Sequence, residues 1–111
     1  MLDLDHIAIT VKSLDESIKF YKKLGYKLLD RFSNKEYKWA SLKLNDHSLE
    51  LFQSDNKSFN HIAYSYSKEE EINKLIKGLG YKKLEQFYGD LNRKSFFIED
   101  NNGNQIQLIE K

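Results

Sequence analysis

Apolar and polar residues alternate through HIAITV at positions 6–11, so that His6, Ala8 and Thr10 face one side and Ile7, Ile9 and Val11 the other. A period of two belongs to a strand packed on one face, and here the histidine lies on the less apolar face. From Ser13 the period lengthens. Leu14, Ile18, Tyr21 and Leu24 share one helical stripe, Ser13 and Glu16 form a capping box at its start, and Gly25 ends it. Three extended stretches follow near 26–33, 36–44 and 47–53, parted by the turn signals Ser33-Asn34 and Asn45-Asp46. The order is strand, helix, then three strands.

The same grammar then returns. Residues 61–87 lie over 6–32 without a gap at a shift of 55, and 12 of the 27 positions are identical, including His6/His61, Ala8/Ala63 and the LGYK at 24–27 and 79–82. At a shift of 57, SLELF at 48–52 falls on QIQLI at 105–109. The second copy has its own capping box in Ser67 and Glu70, a stripe of Ile72, Leu75, Ile76 and Leu79, a stop at Gly80, and extended stretches near 81–88, 93–99 and 104–110. One module has been duplicated. The predicted fold class is α+β: tandem βαβββ modules over 1–55 and 56–111, in a single domain of 1–111. Each helix covers one sheet face, and the remaining faces combine into a curved mixed sheet around a cleft, with the helices outside.

Composition narrows the partners. A net charge of +1, from 18 basic and 17 acidic residues, gives no reason to expect nucleic acid or a charged membrane, so a small-molecule substrate is expected. The absence of cysteine excludes disulfides, thiolate ligands and cysteine nucleophiles. Apolar runs are too short to span a membrane, and the first patterned segment starts at Leu4, too early for a signal peptide, so a cytoplasmic location is expected.

Strand parity places the candidate chemistry. Glu50 lies between Leu49 and Leu51 and Gln107 between Ile106 and Leu108, so both point away from the helix-covered side, as His6 and His61 do. In KEYKWASLKL, Ala40, Leu42 and Leu44 are expected to face the helix, leaving Tyr37, Trp39 and Ser41 on the other side, where Phe52 shares the parity of Glu50. Such rings can line a ligand cleft or fill a core, and a strand histidine can be structural; parity alone leaves both open. His47 is read as an exposed turn residue, Arg93 and Lys94 as solvated surface that could alternatively meet a carboxylate or phosphate, and Tyr26 and Tyr81 as packing residues.

LDHIAITVKSLDESIKFYKKLGY at the N-terminus, SLELF, the second HIA and FIEDNNGNQIQLIE at the C-terminus together resemble the vicinal oxygen chelate superfamily. That group includes glyoxalase I, methylmalonyl-CoA epimerase, extradiol dioxygenases, and fosfomycin and bleomycin resistance proteins. The resemblance spans essentially the whole chain and implies a divalent metal held by first- and last-strand residues: His6, Glu50, His61 and Gln107. Two imidazoles, a carboxylate and an amide oxygen suit nickel, zinc, cobalt, iron(II) or manganese. The implied activity is that of a glyoxalase-like lyase, isomerase or epimerase acting on a small carbonyl substrate through metal-bound oxygens, with Glu50 carrying the proton.

This sequence departs from the family at Gln107, where the dioxygenases and fosfomycin enzymes have a carboxylate. The alternative is a metal-free binding protein resembling the bleomycin resistance proteins, which would hold its ligand against Trp39, Tyr37 and Phe52. Members of this size commonly pair, so a homodimer is expected; a site shared between subunits would take His6 and Glu50 from one and His61 and Gln107 from the other.

Overall fold

The computed structural model describes residues 2–79, 85–88 and 93–111. It contains two compact units, His6–Asn60 and His61–Lys111, the latter joined by the N-terminal residues as far as Asp5. Both are α+β and both are βαβββ modules. The first comprises β1 (Asp3–Val11), α1 (Leu14–Lys23), β2 (Lys27–Ser33), β3 (Lys38–Leu44) and β4 (His47–Gln53). The second comprises β5 (His61–Tyr66), α2 (Glu69–Leu79), β6 (Glu85–Tyr88), β7 (Lys94–Glu99) and β8 (Gln105–Glu110). Expected strand positions 81–84 and the expected helix stop at Gly80 lie outside the described residues. No helix among the described residues is long and apolar enough to cross a membrane.

In the first unit the strands run in the order β2-β3-β4-β1, with β1 parallel to β4 and the other pairs antiparallel. Helix α1 buries Leu14 and Ile18 against Ala40, Leu42, Leu49 and Leu51. Leu24, expected on this stripe, instead occupies the C-cap and is 57% exposed. The helix start is held twice: Ser13 Oγ accepts from Glu16 N at 3.3 Å, and Gln53 Oε1 on β4 accepts from Leu14 N at 2.8 Å. These bonds satisfy amides that a helix start leaves without intrahelical partners.

The second unit repeats the plan in the order β5-β8-β7-β6, with β5 parallel to β8. Ile72 and Ile76 of α2 pack on Tyr66, Phe96, Ile98 and Leu108, whereas Leu75, predicted on the stripe, is 42% exposed. The expected Ser67 cap is also corrected. The carbonyl of Lys68 accepts from Glu71 N and Ile72 N, so the helix begins at the residue that the 55-residue repeat aligns with Ser13. Lys68 has no side-chain acceptor, and three glutamates, Glu69 to Glu71, occupy the positive end of the helix dipole instead.

After α1, Gly25 adopts φ +111° and its amide bonds to Lys22 O at 3.0 Å, turning the chain into β2. A Cβ there would stand 3.2 Å from Leu44 Cδ1 as well as meeting the left-handed backbone penalty. Gly25→Ala is therefore expected to cost about 1–2 kcal/mol, measured as the shift in denaturant unfolding free energy.

Candidate functional site

In each unit the site is built by the parallel pairing of its first and last strands. Ala8 pairs with Glu50 in the first unit and Ala63 pairs with Gln107 in the second. His6 and His61 each lie two residues before that alanine, on the same face of the sheet. The His6–Glu50 and His61–Gln107 pairs thus have the same register, one in each module, and both occupy faces opposite the helices.

In the first unit the two side chains meet. His6 Nε2 stands 2.8 Å from Glu50 Oε2, and the side chains are only 9% and 21% exposed. The other carboxylate oxygen is also occupied: Trp39 Nε1 donates to Glu50 Oε1 at 2.8 Å. The sequence-predicted Trp39 thus joins the candidate ligands directly. Two further predicted residues, Tyr37 and Phe52, pack against each other with ring centroids 5.5 Å apart and planes tilted by 55°. Phe59 and Phe32 complete this cluster, Phe59 lying nearly parallel to Phe52 at 4.7 Å and Phe32 6.1 Å from Tyr37. Neither had been predicted. Phe59 sits on the short 3-10 helix Lys57–Phe59, outside any strand pattern, so parity gave no signal for it.

In the second unit His61 packs edge-on against Phe97 with centroids 5.5 Å apart. Gln107 is buried, and its Nε2 donates to Ser95 Oγ at 3.1 Å. The bond commits the amide nitrogen to Ser95 and so fixes the orientation of the amide. Arg93 and Lys94, read as solvated surface with a carboxylate partner as the alternative, each meet a carboxylate within this unit. Arg93 Nη2 lies 3.3 Å from Asp5 Oδ1, and Lys94 Nζ lies 2.8 Å from Glu69 Oε1. Sequence periodicity does not reveal such long-range partners. His47 is exposed at the start of β4, as expected.

Among the described residues, no group of three or more His, Cys, Asp or Glu side chains gathers as a metal-binding cluster. The donor chemistry of the first unit nevertheless fits a divalent ion. His6 and Glu50 meet as a hydrogen-bonded pair at 2.8 Å, which places an imidazole nitrogen and a carboxylate oxygen side by side. Imidazole nitrogen with carboxylate oxygen suits first-row divalent metals.

The profile of the Glyoxalase/Bleomycin resistance protein/Dioxygenase superfamily matches residues 3–108, and the chain belongs to that family. Solved structures share the fold. A hypothetical protein from Bacillus halodurans C-125 is 25% identical with a TM-score of 0.79, over 99% of this chain and 94% of that one. Methylmalonyl-CoA epimerase from Mycobacterium tuberculosis is 22% identical with a TM-score of 0.77, over 96% and 86% of the respective chains. A Streptomyces coelicolor methylmalonyl-CoA epimerase in complex with 2-nitronate-propionyl-CoA is 21% identical with a TM-score of 0.77, over 98% and 94%.

Ser95 is fully buried and Gln107 nearly so. Ser95→Ala strands the amide nitrogen and is expected to cost about 1–3 kcal/mol of unfolding free energy, whereas adding Gln107→Leu is expected to recover part of that loss. A double-mutant cycle measures both.

Proposed function

We propose that this protein is a metal-dependent isomerase or epimerase that moves a proton at the carbon next to a carbonyl of a small substrate. His6, Glu50, His61 and Gln107 are assigned to one divalent ion, chosen from nickel, zinc, cobalt, iron(II) and manganese. The supporting observation is the 2.8 Å pairing of His6 with Glu50 on a helix-free sheet face. Membership of the superfamily and the fold shared with methylmalonyl-CoA epimerases add to it.

A bound divalent ion would polarise the substrate carbonyl and acidify the adjacent C–H. His6 and His61 contribute ring nitrogens. Gln107 contributes its amide oxygen, since its nitrogen is held by Ser95. Glu50 is the carboxylate of the set, and it is assigned the proton as well, because an amide cannot act as a general base. Half-buried side chains around this dyad strengthen its electrostatics relative to open water.

A second reading, metal-free sequestration of a small ligand, is favoured by the ring cluster of Tyr37, Phe52 and Phe59, which offers an apolar wall. The assembly proposed for either reading is a homodimer.

Metal analysis of protein incubated with nickel or zinc and then desalted separates the two readings. The isomerase reading expects about one ion per chain, reduced by at least tenfold in affinity for His6→Ala. Because the imidazole must give up any proton that it carries, uptake is expected to weaken at low pH and to release protons. Proton exchange in D2O is then followed by NMR with methylmalonyl-CoA and with the hemithioacetal of methylglyoxal and glutathione. Exchange of either, abolished by Glu50→Gln, is the expected result. Wild-type protein that retains no metal and exchanges neither substrate contradicts the isomerase reading.

A further inference from the structure

We propose that Trp39 is a positioning residue that fixes which oxygen Glu50 presents to the ion, and that Ser95 performs the equivalent task for Gln107. The inference rests on the assignment of Glu50 and Gln107 as ligands. It starts from the strand registers. On β3, Ser41 pairs with Glu50, and Trp39 lies two residues before Ser41. On β7, Phe97 pairs with Gln107, and Ser95 lies two residues before Phe97. The residue that touches each ligand therefore occupies the same place in both modules.

The chemistry differs in the way the two ligands require. Glu50 offers two acceptor oxygens, and Trp39, which can only donate, takes Oε1 at 2.8 Å. Oε2 is left 2.8 Å from His6 Nε2. An indole N–H cannot compete for a cation, so its effect is to hold the carboxylate in one rotamer with Oε2 turned toward His6. Gln107 offers one donor end and one acceptor end, and Ser95 Oγ takes the donor end at 3.1 Å. Its oxygen is left as the ligating atom. A donor holds the carboxylate and an acceptor holds the amide, and each contact fixes the orientation of one ligand. Partners that orient ligands in this way typically change metal affinity by 10–100-fold when removed.

Trp39 is the sole tryptophan of the chain, so the contact has its own spectroscopic signature. Excitation of indole moves electron density away from the pyrrole ring, and a carboxylate beside Nε1 stabilises that state. In protein without added metal, Glu50→Gln is therefore expected to move the emission maximum to shorter wavelength. An unchanged maximum overturns the contact. In calorimetric titrations with Ni2+ alone, Trp39→Phe and Ser95→Ala are each expected to weaken binding by about tenfold, while Ser95→Thr, which keeps the hydroxyl, binds within about twofold of wild type. Trp39→Phe protein that unfolds at the wild-type denaturant midpoint and binds Ni2+ as tightly as wild type overturns the positioning role. Wild-type protein that binds no Ni2+ overturns the ligand assignment and the positioning role with it, and the emission shift still separates that failure from loss of the Trp39–Glu50 contact.

Discussion

The parallel pairing of the first and last strands of each module is the constraint on which the site depends. A slip of one residue in β1 against β4 would turn His6 toward the helix-covered core and Ile9, which packs on that core, out of it. The register is fixed by burial. Leu49 and Leu51, which flank Glu50, are packed under α1 together with Ala40 and Leu42. Leu108, beside Gln107, is packed under α2 with Phe96 and Ile98. Apolar residues on one face thus dictate where the polar residues on the other face must stand. The core does not touch the chemistry, but it aligns it.

Local contacts then refine what the register supplies. Gln53 on β4 caps the first amide of α1, linking the strand that carries Glu50 to the helix that buries its neighbours. Asn60 Oδ1 accepts from Thr10 N at 2.6 Å, fixing the chain next to the end of β1 just before His61 begins the second module. Trp39 and Ser95 each consume one end of a last-strand side chain. Secondary structure brings these groups within reach, and single hydrogen bonds select their orientation.

Much of this was legible in the sequence because it follows from a period of two and from a duplication that aligns 6–32 with 61–87 without a gap. The βαβββ order, the faces of His6, Glu50, His61 and Gln107, and the inward set Ala40 and Leu42 all came from alternation. Ends and tertiary partners were less accessible. Ser67 resembled a cap because serine favours that position, but the repeat register put Lys68 there. Leu24 and Leu75 had helical spacing yet lie at the margin of their cores. Phe59 entered the ring cluster from a 3-10 turn, and Arg93 found Asp5 from 88 residues away. Spacing along one element carries no record of contacts such as these.

His6 and Glu50, brought to 2.8 Å by strand register, are the proposed ligands of one divalent ion. X-ray absorption spectroscopy of the nickel-loaded protein tests this assignment most directly. The expected spectrum has a first shell of nitrogen and oxygen donors with the outer-shell scattering of imidazole, diminished in His6→Ala. A first shell with no imidazole scattering, or a spectrum unchanged by His6→Ala, would contradict it.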